Sequence, residues 1–132
     1  MGQIRCAVVT PERQELEVTG SFIVVPLYDG ELGIGYNHSP LIGRLGFGEL
    51  RVVDQGQVTH RYYIDGGFVQ VEQNRVVLLT NRALPIQQLD AEAAHAQLRR
   101  ALKMPALTEE QRAIRDRLIA QARTQIHLAG KR

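Results

Sequence analysis

Tryptophan is absent and cysteine occurs once, at position 6. A single thiol excludes an internal disulfide, so no covalent staple holds the fold. One cysteine with histidines scattered at 38, 60, 95 and 127 makes no set with metal-ligand spacing. No apolar run approaches the roughly 20 residues that a membrane-spanning helix needs. The charged start "MGQIRCAVV" also lacks the apolar stretch of a secretory leader. Aromatics are only 5% of the residues, and all lie before residue 69. The later, more basic part of the chain therefore has no aromatic platforms on which bases could stack, which disfavours nucleic acid as a partner.

What is present is enough for one domain with a small appendage. A chain of 132 residues can bury about two thirds of its unfolded surface. The net charge of +2 is unevenly spread. Residues 1–85 hold seven Lys and Arg against nine Asp and Glu, giving −2, whereas residues 86–132 hold nine against five, giving +4. A basic tail suits an acidic partner surface or an ordinary solvated helix pair equally well.

The two parts differ in period. Ile4, Cys6 and Val8 alternate with polar or small neighbours, as do Leu16 and Val18. Val58, His60, Tyr62 and Ile64 share one face, Val69 and Val71 oppose Gln70 and Glu72, and Val76, Leu78 and Thr80 continue the pattern. Period two with β-branched residues predicts strands, with Cys6 buried in the first. "VDQGQV" and "VEQNRV" place Gln55-Gly56 and Gln73-Asn74 where tight hairpins need positive φ. Gly66-Gly67 in "YYIDGGFVQV" predicts a bulge or a sheet corner. The expectation for residues 1–85 is an all-β sandwich or barrel.

After Pro85 the pattern becomes helical. "QLDAEAAHAQLRRALK" lacks glycine and proline, with Asp90 as N-cap and Leu89 placed for a staple contact. Pro105 interrupts, and Thr108 with Gln111 predicts a capping box for a second helix ending at Gly130. The expected stripes are Ala91, Ala94, Leu98, Ala101 and Pro105 on the first, and Ile114, Leu118, Ala122 and Ile126 on the second. Residues 86–132 are thus read as an antiparallel hairpin. At roughly 25 cal/mol per Å² an alanine seam stabilises less than a leucine one, which predicts a loosely fastened pair.

"GELGIGYNHSPLIG" packs four glycines and His38 between apolar runs. Its spacing is not the dinucleotide fingerprint and no helix follows to hold a phosphate. His38 with Glu31 or Asp29 could form an acid–base pair, but no nucleophile accompanies them. The favoured reading is a loop that presents Glu31 and His38 to a partner.

Together "GELGI…NHSPLI", "YYIDGGFVQV" and "LDAEAAHAQLRRA", in this order, resemble the epsilon subunits of rotary F-type ATP synthases. The resemblance implies an α+β chain: a ten-stranded β-sandwich followed by a two-helix hairpin. It implies a non-catalytic rotor subunit of the central stalk, seated on the gamma subunit and the c-ring and coupling proton or sodium flow to ATP synthesis. It places the chain at the cytoplasmic face of a bacterial inner membrane, bound there through its partners. Glu31 and His38 match the positions where the family's loop meets the rotor. An extended hairpin would lie against the alpha and beta subunits and inhibit hydrolysis, with Arg112, Arg115, Arg123, Lys131 and Arg132 supplying the attraction. Some members bind ATP through Ile/Leu-Asp-x-x-Arg-Ala. Here Leu89 and Asp90 agree, but Ala93 replaces the arginine and Leu84 stands at the upstream acidic position, so no nucleotide cofactor is expected. Tyr36 and Gln70 depart from the family's frequent proline and glutamate. The rival readings are a small β-domain adaptor or nucleic-acid-binding regulator with a basic hairpin, and a small sandwich enzyme using His38 and Glu31.

Overall fold

The computed structural model describes residues 2–131. It divides after Pro85 into two compact units.

The first unit is built from eight strands: β1 Ile4–Val9, β2 Gln14–Gly20, β3 Phe22–Leu27, β4 Gly30–Ile34, β5 Leu41–Asp54, β6 Gln57–Glu72, β7 Arg75–Leu79 and β8 Ala83–Pro85. They form one hydrogen-bonded sheet in the order β2-β1-β7-β6-β5-β3-β4, with β8 beside β6. All ladders are antiparallel except β1 with β7. The sheet folds over itself, for β1 also approaches β3 and β2 approaches β5, pairs that share no ladder. The sandwich is therefore present, but with eight strands among the described residues and not ten. The difference lies in β5 and β6, which run 14 and 16 residues without interruption, so each passes through the fold as one strand.

Alternation puts Ile4, Cys6 and Val8 of β1, Val69 and Val71 of β6, and Val76 and Leu78 of β7 on one inner face, all essentially without solvent contact. Each valine, leucine or isoleucine among them contributes about 1.5–3 kcal/mol by leaving water. Ile23 and Val25 from β3 and Leu45, Leu50 and Val52 from β5 complete the core. The expected shared face of Val58, His60, Tyr62 and Ile64 is only partly inward. Ile64 is buried and Tyr62 packs against the core, whereas Val58 is exposed. The opposite face is buried too at Tyr63, whose hydroxyl donates to the Asp65 carboxylate at 2.7 Å.

Both predicted hairpin turns hold positive φ at their two central residues: Gln55 52° and Gly56 77°, Gln73 50° and Asn74 61°. That matches the hairpin turn whose twist agrees with its strands. Gly66 and Gly67 also have positive φ, 73° and 104°. They lie where one edge of β6 passes from pairing with β7 to pairing with β8. A side chain on Gly67 would overlap the Leu79 carbonyl oxygen. The pair is a corner inside a continuous strand.

The second unit starts with a 3-10 turn, Ile86–Gln88, and continues as α1 Ala91–Leu102 and α2 Glu109–Ala129. The Asp90 carboxylate accepts from Ala93 N–H at 3.0 Å, and Thr108 with Gln111 forms the complete capping box. Ala94, Ala101 and Ala122 are buried, while Leu98, Leu118 and Ile126 are half-buried. Ile114, expected in that stripe, is 48% exposed. Gln97 Nε2 ties the helices by donating to the Leu118 carbonyl at 2.9 Å. Gly130 caps α2 with φ −72°, a helical value, so it ends the helix without a left-handed residue.

Candidate functional site

The register of β5, β6, β7 and β1 determines what their outward face carries. Directly paired residues share a face, so Arg44, Phe68, Leu79 and Val9 make one row across the sheet. Ile42, Gln70, Val77 and Ala7 make the next. On this face Ile42 is 74% exposed, Phe68 57% and Leu79 52%. Single exposed apolar residues are ordinary, but three large ones on adjoining strands are a patch of the kind that meets a partner. Arg44 borders it, its guanidinium carbon 5.4 Å from the centre of the Tyr28 ring, a cation–π distance. Val9 and Thr10 line a shallow groove with Phe68 and Leu79.

A second arrangement runs beside the sheet's β4 edge. Arg51 grips Glu31 with both terminal nitrogens, at 3.0 and 3.1 Å, and Glu49 at 3.0 Å. The other Glu49 oxygen accepts from Arg61 Nε at 2.6 Å. Glu49 is 7% exposed, a buried carboxylate between two cations, as buried charge requires. Hydrogen bonding to Glu31 raises the Arg51 pKa further, so it stays charged. Glu31 is not in a loop as expected: Gly30–Ile34 is strand β4, paired with β3, and only residues 35–40 connect β4 to β5. The geometry presents Glu31 as an acceptor already aligned by Arg51, with half its side chain in solvent.

His38 lies in that connection, half-buried, its Nδ1 2.7 Å from the Ser39 carbonyl oxygen. Glu31 and His38 thus sit in distinct settings, one on a strand and one in a turn. Neither Glu49, Arg51 and Arg61 nor the outward Ile42, Phe68 and Leu79 was singled out from sequence. The usable signal was "LIGRLGFGELRVVD", where Glu49 and Arg51 stand two residues apart among apolar neighbours and Arg44 precedes them by five.

The basic residues of the hairpin are not equivalent. Arg112 Nη1 donates to the carbonyls of Ala106 and Leu107, at 3.3 and 3.4 Å, and so closes the turn between the helices. Arg115 lies 3.4 Å from Asp116, and its Nε is buried without a hydrogen-bond partner. Arg123 and Lys131 are exposed, and Arg132 lies outside the described residues. Asp90 is engaged as a helix cap, and Ala93 offers it no companion cation.

Residues 3–86 match the family described as ATP synthase, Delta/Epsilon chain, beta-sandwich domain. An ATP synthase epsilon chain of Rhodopirellula baltica is 47% identical over 123 residues, covering 93% of this chain and 95% of that one. The chain belongs to the ATP synthase epsilon-chain family. A further epsilon chain, of Pelotomaculum thermopropionicum, is 39% identical and covers 74% of this chain and 72% of that one. Two solved structures share the fold. One is of the Euglena gracilis mitochondrial ATP synthase, OSCP/F1/c-ring, with a TM-score of 0.83 at 23% identity, covering 100% of this chain and 83% of that one. The other is of the central stalk and c-ring of the Tetrahymena thermophila mitochondrial ATP synthase, with a TM-score of 0.75 at 16% identity and 96% of each chain covered. The family match spans the sandwich, while the Rhodopirellula epsilon chain aligns over nearly the whole chain, hairpin included. Among the described residues no helix is long and apolar enough to cross a membrane.

Proposed function

We propose that this chain is the epsilon subunit of the central stalk of a rotary ATP synthase. It is a non-catalytic subunit, joining gamma to the c-ring, and it couples ion translocation to ATP synthesis. The observation that carries the reading is the outward face of a domain in the epsilon-chain family: Ile42, Phe68 and Leu79 lie bare on one side of the sheet. A subunit without chemistry of its own needs such a surface to stay attached. The patch is apolar at its centre, with Arg44 and Gln70 in the same rows, as a docking face should be. Glu31, held by Arg51, and the His38 turn supply polar contacts to the rotor.

The chain is associated with the membrane as part of that complex, and we assign it to the cytoplasmic face of a bacterial inner membrane. The hairpin acts as an inhibitor of ATP hydrolysis by extending toward the alpha and beta subunits, Arg115, Arg123 and Lys131 meeting their acidic segments. Arg112 is better explained as the closure of the inter-helix turn. ATP is not a ligand on this reading, because Asp90 is spent on the cap and Ala93 cannot pair with phosphate.

The test replaces Phe68 and Leu79 together by Asp. Placing two charges at the centre of the patch is expected to weaken binding to the gamma and c-ring assembly at least a hundredfold, with the circular dichroism of the free chain unchanged. Undiminished binding by a folded variant would remove this face from the interface.

A further inference from the structure

The turn that carries His38 is braced by a residue far away in sequence. Residues 35–38 form a four-residue turn closed by the His38 N–H, which donates to the Gly35 carbonyl at 3.2 Å. Its third residue, Asn37, has φ 62°. That position favours glycine first and asparagine next, because other side chains clash there. The Asn37 backbone N–H donates to Asn74 Oδ1 at 2.6 Å, and Asn74 Nδ2 donates back to Asn37 Oδ1 at 3.0 Å. Asn74 belongs to the β6–β7 turn and itself has φ 61°. Its carbonyl accepts the Arg5 N–H at 3.0 Å, which ties it to β1.

One carboxamide therefore spans two turns, using its acceptor on a main-chain N–H and its donor on a side-chain oxygen. Both tethers converge on Asn37, the residue immediately before His38. Without them the turn would lose both side-chain tethers and keep its 3.2 Å closing bond, with Asn37 still at positive φ.

We propose that Asn74 is a positioning residue for the partner contact made by His38. It fixes the turn in the one geometry that presents His38, while touching no partner itself. The proposal rests on the reading of His38 as a rotor contact.

Asn74→Gly isolates the effect, since glycine keeps the positive φ and removes only the carboxamide. Amide hydrogen exchange of the free chain, followed by NMR, is expected to accelerate about tenfold at Asn37 and His38 while β1, β6 and β7 stay protected. Asn74→Asp keeps the acceptor oxygen and should retain protection of the Asn37 amide. Binding to the gamma and c-ring assembly should weaken with Asn74→Gly by the same factor as with His38→Ala, and the double variant should be no weaker than His38→Ala alone. Unchanged exchange in Asn74→Gly would overturn the brace. Additive losses in the double variant would overturn its action through His38. If His38→Ala binds normally, the reading of His38 as a contact fails, yet the exchange result still decides whether Asn74 holds the turn.

Discussion

Cys6 shows how much one residue's surroundings decide. It lies on the inner face of β1 between Ile4 and Val8, fully buried. Burial pushes its thiol up to about 12 from an ordinary 9.0. Below pH 9 the thiol is neutral in folded and unfolded chains alike, and its contribution is intact. As pH rises through the window from 9 to 12 the unfolded chain ionises first, so stability falls. Urea denaturation should show this added alkaline loss in the native chain and its absence in Cys6→Ala, and thiol reagents at pH 8 should label Cys6 only on unfolding. Rapid labelling of the folded chain would contradict the burial. At the same scale, Glu31 illustrates what residue type alone does not convey. Its identity and position were readable, but its partner Arg51 lies 20 residues away and is brought to it only by the pairing of β3 with both β4 and β5.

The elements were legible where a rule is local. The caps at Asp90 and Thr108, and the turns at Gln55-Gly56 and Gln73-Asn74, depend on a few adjacent residues, and all are present. β3 and β5 were not singled out because period two marks a strand with one dry face and one polar face. "FIVVPL" is apolar throughout, and the outward side of β5 carries Ile42 as well as Arg44. An outward face that is itself partly apolar hides a strand from that test. Ala94, Ala101 and Ala122 are buried along α1 and α2, as read, but Leu128 is buried too and Ile114 turns outward. A pair with so little buried area leans on its caps. Thr108→Ala should cost about 1 kcal/mol, seen as a roughly fivefold rise in amide exchange through the first turns of α2. No change there would mean that packing, not capping, holds the helix start.

For the whole molecule, charge and architecture divide along the chain. The sandwich half carries −2 and the hairpin half +4, and the sandwich alone holds the outward apolar face and the Glu31–Arg51–Glu49–Arg61 chain. On the proposed function, attachment belongs to the first part and regulation to the second. Removing residues 86–132 should leave the chain bound to its complex and raise ATP hydrolysis by the assembled enzyme, with a larger effect at low salt if the basic residues act by charge. An unaltered rate would remove the inhibitory role. The strand number was the feature of scale that the resemblance overstated, since β5 and β6 bend as single strands.

The most direct measurement compares hydrogen exchange of the chain alone with that of the chain in the assembled ATP synthase. Docking through the outward face, with Glu31 and His38 as polar contacts, predicts new protection on the sandwich confined to residues 30–32, 42–44, 68–70 and 77–79, together with the 35–40 connection. Protection that left those segments unchanged and appeared elsewhere on the sandwich would contradict the account.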